Sequence, residues 1–218
     1  ASTKAFLGQM LVLYLFSLKI GEVRGDLNNK KYKKLISNLK NLPQLIKDTL
    51  KEEQKIQLIA KDIYNSKGSM FLGRGSSYPI AMEGALKLKE LSYLHAEGYP
   101  AGEMKHGPLA LIEDGLPVVV IAPKDKYFEK TLSNMQEVIA RGGKVLLLTN
   151  SDGKVISENI RFQIDLPSSD LSLTPFIFTI PLQLLSYHVA LFKKCDIDKP
   201  RNLAKSVTVE LKISFAIS

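Results

Sequence analysis

SMFLGRGSSYPIAMEGALKLKELSYL, the segment Ser69–Leu94, contains signals for a strand, a turn and a helix in succession. The short apolar run Ser69–Arg74 predicts a buried strand, since runs of this length bounded by glycine are typical of core strands. The loop Gly73–Ser77 follows, and Pro79–Leu94 predicts a long helix. A strand that turns directly into a helix is the unit from which parallel sheets are built.

The rest of the chain continues this alternation of strands and helices. The run Leu116–Ala122, LPVVVIA, is uninterruptedly apolar, as central parallel strands are. Further strands are predicted at about His95–Pro100, Lys144–Thr149 and, as an alternating edge strand, Ile160–Leu166; helices are predicted near Gly102, over Tyr127–Ala140 and over Pro175–Lys194. The pattern predicts a three-layer α/β domain with a mostly parallel sheet.

The first third of the chain has the spacing of helices. The apolar segment Ala5–Leu18, AFLGQMLVLYLFSL, holds fourteen residues, whereas a membrane span needs about 20. We therefore predict a buried helix rather than a membrane anchor. A lysine-rich helix is predicted over Asn28–Asn41, and a further helix is expected to begin at Pro43 and to include apolar positions as far as Ile59.

Composition excludes several classes of protein. Hydrophobic residues make up 45% of the 218 residues, which excludes a disordered chain. The single cysteine, Cys195, excludes a disulfide framework or a cysteine-rich zinc module and favours the reducing cytoplasm. The net charge of +8 favours anionic partners in general. The lysines of Lys30–Lys34 are better explained as a solvated helix face than as a nucleic-acid site.

The loop Gly73–Ser77 is the first candidate site. Ligands of parallel α/β sheets bind beyond the carboxyl ends of the strands, and the hydroxyls of Ser76 and Ser77 with the amides of a helix start suit a phosphate. The loop lacks the Walker lysine pattern and the full dinucleotide fingerprint. A tight turn with serine as helix N-cap is the alternative interpretation.

A second candidate is a row of charged residues on the following helix. Glu83, Lys87 and Glu90 are spaced at i, i+4 and i+7 and therefore share one face. They would serve either as a surface ion-pair ladder or as a carboxylate base with a neighbouring ammonium group that tunes it. Spacing alone favours the surface ion-pair ladder.

Two more residues have chemistry that could serve a reaction. His106 lies in Lys105–Pro108, a glycine-flanked turn, where it is either an acid–base group or a plain loop residue. Lys205 lies among Leu, Ala and Val residues, which would lower the pKa of its amine and make it a nucleophile toward a carbonyl. A disordered basic tail is the alternative. No grouping of residues has metal-ligand spacing.

Two long segments, Phe71–Leu111 and Asp196–Glu210, resemble the isomerising glutamine–fructose-6-phosphate aminotransferases, as do Ala1–Phe6 and Pro181–Leu191. The resemblance implies a glutaminase domain followed by two sugar isomerase (SIS) domains. It also implies an α/β/α fold with a five-stranded, mostly parallel sheet. The chain is then expected to comprise the last helix of the first SIS domain (1–25), a helical linker and the start of the second (26–66), its core (67–195), an irregular catalytic tail (196–210) and an extension outside the family (211–218).

The resemblance also implies a role for each candidate residue. Fructose-6-phosphate would be the substrate, with no metal or organic cofactor, in a homodimer. By this likeness Glu90 moves a proton between C1 and C2 of the sugar, and Lys87 is a neighbouring catalytic lysine. His106 opens the sugar ring in the partner subunit's site, and Lys205 forms a Schiff base with the open-chain ketone. The backbone of Ala204 holds the sugar, and Ser76 and Ser77 belong to a vestigial phosphate loop.

The implied reaction converts fructose-6-phosphate and glutamine into glucosamine-6-phosphate and glutamate, in the cytoplasm. We expect this chain alone to be inactive, because the family's phosphate-binding loops and ammonia source lie in the other domains. The alternatives are a stand-alone SIS module that binds a sugar phosphate for regulation or scaffolding, and a related SIS deglycase or isomerase. The latter is not expected to carry the segment Arg201–Glu210. We expect no nucleic-acid partner and no membrane association.

Overall fold

A computed structural model describes residues 2–151 and 159–201. The helices are α1 (Thr3–Val23), α2 (Asn29–Lys40), α3 (Leu42–Leu50), α4 (Glu53–Ile63), α5 (Ser77–Ser92), α6 (Phe128–Ile139) and α7 (Thr174–Phe192). The strands are β1 (Gly68–Gly73), β2 (His95–Pro100), β3 (Pro117–Ala122), β4 (Lys144–Thr149) and β5 (Ile160–Asp165). Short 3₁₀ helices cover Ala101–His106, Pro108–Leu111 and Leu171–Leu173.

The five strands form one sheet in the order β2-β1-β3-β4-β5. Every neighbouring pair is parallel. The apolar run predicted to be central is β3, whose residues are all buried, and the alternating run predicted at the edge is β5. The predicted α/β fold is thus confirmed, with a sheet that is parallel throughout.

Helices cover both faces of the sheet because successive strand residues point to opposite sides. On one face, Phe71 and Val119 pack with residues of α4, α5 and α7. On the other, Leu72 and Val120 pack with α6 and the 3₁₀ helices that follow β2. The predicted three layers are therefore present, and α5 lies in the same layer as α7.

The helix predicted to begin at Pro43 is in fact two helices. The chain leaves α3 at Lys51 and Glu52, whose N–H groups donate to carbonyls only three residues back, at 3.2 and 3.1 Å. Such 3₁₀-type bonds are common at helix ends. Neither glycine nor proline lies near this break, so no local residue pattern marks it.

Helix α1 corrects a second prediction, since of its residues only Leu18 is buried. One side of the helix packs on the domain through Leu7 and Tyr14, and the Tyr14 hydroxyl lies 2.8 Å from the Ser172 hydroxyl. The opposite side exposes large apolar residues, among them Leu13 and Phe16 at 64% and 62%. The segment forms a helix as expected, but it is not a buried one.

Among the described residues, two helical segments are long and apolar enough to cross a membrane, Thr3–Val23 and Leu171–Phe192. In the second, 67% of the most apolar window is buried in the domain, as in the core helix of a soluble protein. In α1 only 6% is buried. The 21 residues of α1 are enough for a span, so length does not exclude a membrane anchor, contrary to the prediction from the fourteen apolar residues. The environment of α1 depends on what covers its exposed side.

Candidate functional site

Helix α5 separates the two candidate regions. It leaves β1 through the loop Gly73–Ser77 and leads into β2, which is parallel to β1 and pairs Gly68 with His95. The loop therefore lies at the carboxyl edge of the sheet. The other end of α5, with Glu90, lies at the amino edge.

The loop Gly73–Ser77 is a tight turn, as its alternative interpretation predicted. The N–H of Ser77 donates to the Arg74 carbonyl at 3.0 Å, and that of Tyr78 donates to the Gly75 carbonyl at 3.2 Å. Gly75 has a φ of 54°, in the left-handed region that glycine adopts without strain. Ser76 is the N-cap residue but makes no side-chain capping bond, so its predicted capping role was wrong.

A cavity of about 410 Å³ lies beside this loop. Its lining includes Ser76, Lys126 and Thr174, from the starts of three different helices, and also the carboxylate-bearing Asp125. Arg74 is engaged elsewhere, since its guanidinium donates to the Asn134 side chain at 2.9 Å. The loop thus borders a ligand-sized space in which a cationic and an anionic side chain are both present.

The charged row on α5 is an inward-facing cluster. The Lys87 Nζ lies 2.6 Å from Glu90 Oε2 and 3.8 Å from Glu83 Oε1. The side chain of Lys87 is only 6% exposed, that of Glu83 10% and that of Glu90 22%. A surface ladder would leave all three in water, so that interpretation was wrong.

Burial sets the electrostatics of this cluster. Desolvation raises the pKa of Glu83, against the opposing attraction of Lys87, and the nearby Glu90 raises it further. A charge pair in such surroundings interacts much more strongly than one in water. Glu90 is the more exposed of the two carboxylates, and its 2.6 Å contact with the Lys87 ammonium group fixes its orientation. The arrangement suits a carboxylate that accepts and returns a proton.

His106 lies away from this cluster. It ends the 3₁₀ helix Ala101–His106 and is followed by Gly107 with a φ of 139°, so the glycine-flanked turn was correctly predicted. The imidazole is 77% exposed, and its Nε2 lies 3.8 Å from Glu103 Oε2. Its position leaves it free to face another molecule. Ala204 and Lys205, the other predicted site residues, lie outside the described residues.

One contact near the cluster was missed by the sequence reasoning. The hydroxyl of Tyr93, which follows α5 directly, accepts a hydrogen bond of 2.9 Å from the backbone N–H of Arg201. The Arg201 guanidinium lies over the same ring, 4.2 Å from its centre. No local signal in the sequence marked this contact, because the predicted helix ran through Tyr93 to Leu94.

His188 and the cysteine, Cys195, have structural roles. His188 is buried and lies 3.2 Å from the Glu53 carboxylate. Cys195 is half-buried against the Ser92 carbonyl, with Sγ at 3.9 Å. In the described part of the chain, no three His, Cys, Asp or Glu residues are grouped to hold a metal ion.

Comparison with known proteins places this geometry in a family. Residues 62–193, more than half of the chain, match the SIS domain. Proteins named isomerising glutamine–fructose-6-phosphate aminotransferase, from Bradyrhizobium diazoefficiens and Bartonella quintana, are 51% and 49% identical over 96% of this chain. The chain spans about a third of those relatives, 35% of their length. A solved C-terminal domain of glucosamine-fructose-6-phosphate aminotransferase from Francisella tularensis is 46% identical, with a TM-score of 0.88 over 91% of this chain and 56% of that one. On these findings the chain belongs to the SIS domain family.

Proposed function

We propose that this chain is part of the isomerase half of a glutamine–fructose-6-phosphate aminotransferase. The complete protein would make glucosamine-6-phosphate and glutamate from fructose-6-phosphate and glutamine. The observation that carries the proposal is the 2.6 Å contact between the buried Lys87 and the half-buried Glu90, in a chain that matches proteins of that name over 96% of its length. A carboxylate held in this way is the group that isomerisation of a ketose requires.

The proposed reaction assigns one step to each group. The Lys205 amine attacks C2 of the open-chain ketone, and loss of water leaves a Schiff base. Ammonia, released from glutamine in the proposed glutaminase domain, then attacks C2 of this Schiff base and displaces the Lys205 amine, so that the nitrogen stays on the sugar and the lysine is regenerated. Glu90 takes a proton from C1 and returns it to C2, which converts the ketose to the aldose, while Lys87 holds the carboxylate in place. His106 opens the sugar ring by proton transfer at the ring oxygen, and the Ala204 backbone holds the sugar. The proposal needs no metal or organic cofactor.

The exposed side of α1 supports the proposed domain arrangement. We propose that residues 1–25 end a first SIS domain and that this domain covers the apolar side chains of α1, such as Phe16, which is 62% exposed. Residues 26–66 then lead into the second SIS domain, 67–195, and 196–210 form the catalytic tail. Residues 211–218 would lie outside the family pattern. The relatives are longer than this chain, and their additional residues would form the preceding domains. The proposal places the protein in the cytoplasm.

The direct test is synthase turnover by a completed enzyme. This chain is joined to the preceding two thirds of the Bradyrhizobium diazoefficiens relative, and glucosamine-6-phosphate is measured with fructose-6-phosphate and glutamine present. We expect turnover from the completed enzyme and none from the 218-residue chain. A Lys205→Arg variant should lose turnover, because its guanidinium does not form the Schiff base. An inactive completed enzyme would contradict the proposed function, and turnover by the chain alone would contradict its fragment status.

The exposure of His106 supports a homodimer with shared active sites. If His106 serves the partner subunit, an E90Q subunit and an H106A subunit together rebuild one intact site. Random mixing of the two inactive completed enzymes should then restore about a quarter of the unaltered activity. Restoration of no activity would contradict the sharing of His106 between subunits.

The cavity beside Ser76 favours one other function, a stand-alone module that binds a sugar phosphate for regulation or scaffolding. That function predicts saturable binding of fructose-6-phosphate to the 218-residue chain, abolished in the variants Ser76→Ala and Ser77→Ala. The proposed enzyme predicts weak binding that does not depend on these serines. Isothermal titration of the chain and the two variants separates the possibilities.

A further inference from the structure

We propose that Glu137 is a positioning residue that holds the turn carrying His106 against α6. This inference rests on the proposed function, in which His106 transfers a proton at the ring oxygen of the sugar. The Glu137 carboxylate acts through Lys105, whose Nζ lies 3.2 Å from Glu137 Oε1. Lys105 directly precedes His106 in the chain, so a contact that fixes Lys105 also restrains His106.

Apolar packing holds only the first part of the 3₁₀ helix Ala101–His106. Ala101 and Met104 are fully buried and belong to the core cluster that also contains apolar residues of α6. The last two side chains, Lys105 and His106, are 67% and 77% exposed. The core therefore does not fix the end of the 3₁₀ helix that carries the proposed acid–base group.

A polar contact with α6 also fixes the start of this 3₁₀ helix. The Arg74 guanidinium lies against Gly102, since a Cβ added at this glycine would be 2.6 Å from Arg74 Nη2. Arg74 Nη1 donates to Asn134 Oδ1 of α6 at 2.9 Å. Asn134 and Glu137 are three positions apart and share one face of α6. Helix α6 thus provides two polar contacts, one for each end of the 3₁₀ helix.

The surroundings of Glu137 favour a fixed pair with Lys105 over a loose surface contact. The Glu137 side chain is 22% exposed, and its Oε2 is buried without a hydrogen-bond partner in the described part of the chain. A carboxylate in such a place is destabilising unless a cation compensates it. Among the described residues, the Lys105 ammonium is the single cation within 4 Å of this carboxylate.

The chain after His106 cannot supply the same restraint. The next residue, Gly107, has a φ of 139°, and glycine restricts the backbone less than any other residue. The nearest carboxylate to the imidazole, Glu103 Oε2, lies 3.8 Å from His106 Nε2, which is too far for a hydrogen bond. The direction of His106 therefore depends on the preceding residue, Lys105, and on its contact with Glu137.

The first measurement is hydrogen exchange of the backbone amides of residues 101–107 in the 218-residue chain, read by mass spectrometry and independent of enzymatic activity. Glu137→Gln removes the charge and keeps the size of the side chain. A partly exposed ion pair shifts an equilibrium about two- to fivefold, so exchange should become faster by about this factor. Lys105→Met should have at least the same effect, whereas Lys105→Arg keeps a cation and should exchange like the unaltered chain.

The second measurement is turnover by the completed enzyme, which asks whether the restraint serves the reaction. Glu137→Gln should lower kcat about two- to fivefold. The KM for glutamine should stay unchanged, because glutamine would bind in another domain. Lys105→Met should lower kcat in the same way, and Lys105→Arg should keep it. Rescue by arginine is expected of a positioning cation and not of a lysine that only fills space.

The matched control is Asp48→Asn, which breaks an ion pair of similar exposure in α3, where Asp48 Oδ1 lies 2.6 Å from Lys51 Nζ. It should change neither the exchange of residues 101–107 nor kcat. Unchanged exchange in Glu137→Gln, an equal change in Asp48→Asn, or faster exchange with unchanged kcat would each overturn the inference. If exchange responds to Glu137 while the unaltered completed enzyme makes no glucosamine-6-phosphate, the contact is supported and the proposed function is contradicted.

Discussion

The two ends of α5 have structures opposite to those that their sequences suggest. The amino-terminal end has glycines, serines and a cavity of about 410 Å³, the usual features of a phosphate loop. The carboxyl-terminal end has a charged row that resembles an ordinary surface ladder. In the structure the glycines serve a tight turn, whereas the charged row is buried around Lys87, which is 6% exposed. Burial of the charges, rather than likeness to a motif, distinguishes the candidate catalytic end.

The largest expected effect on stability comes from Lys87→Met. Removing the ammonium leaves Glu83 and Glu90 close together and partly desolvated, and breaking a buried ion pair from one side costs about 3–5 kcal/mol. Urea unfolding at neutral pH measures this loss. Ser76→Ala at the other end of the helix, where the exposed side chain makes no capping bond, should change stability by less than about 0.5 kcal/mol. Equal losses of stability in the two variants would contradict the difference between the two ends of α5.

Gly73→Ala should have the next largest effect on stability, because the turn leaves no space for a side chain at this position. A Cβ at Gly73 would lie 2.3 Å from the Ser77 carbonyl oxygen, and a forced backbone shift of this kind costs about 1–3 kcal/mol. The matched control is Gly8→Ala in α1, where nothing lies within 4 Å of the added atom. That variant should gain about 0.5–1 kcal/mol. A neutral Gly73→Ala would show that the loop is not held by close packing.

The smallest effect is a pH dependence from Glu83. Burial raises the pKa of Glu83 in the folded chain above its ordinary value of 4.5. The folded state therefore holds this proton more tightly, so the stabilisation present below 4.5 is lost as the pH rises through the raised pKa. Glu83→Gln does not titrate, and its stability relative to the unaltered chain should increase from acid to neutral pH.

Urea unfolding at a series of pH values from 4 to about 7 tests this sign. Glu103→Gln, whose carboxylate is 65% exposed, serves as the matched control and should show no such trend. A relative stability of Glu83→Gln that falls as the pH rises would contradict the raised pKa.

The sequence predicted most of the sheet because its strands are marked locally. Apolar runs such as that of β3, bounded by turn residues, determine which segments are buried strands. The alternation of strands with helices then determines the parallel order. The exposure of one side of α1 could not be predicted in this way. The sequence of an apolar helix does not reveal whether the surface that covers it belongs to the same chain.

The candidate site was predicted less completely, for a physical reason. Helical spacing showed that Lys87 and Glu90 share a face, but the side toward which that face points depends on packing between α5 and its neighbours. The contact of Tyr93 with Arg201 joins residues 108 positions apart, and no local pattern marks either partner.

The most direct test of the central assignment is uptake of deuterium from heavy water into C1 of fructose-6-phosphate, catalysed by the completed enzyme. It compares Glu90→Gln with Ser76→Ala, one variant at each end of α5. If the carboxyl-terminal end carries the proton transfer, Glu90→Gln should slow the uptake by at least about 100-fold, while Ser76→Ala keeps it within about twofold. Uptake that persists in Glu90→Gln and disappears in Ser76→Ala would contradict the assignment.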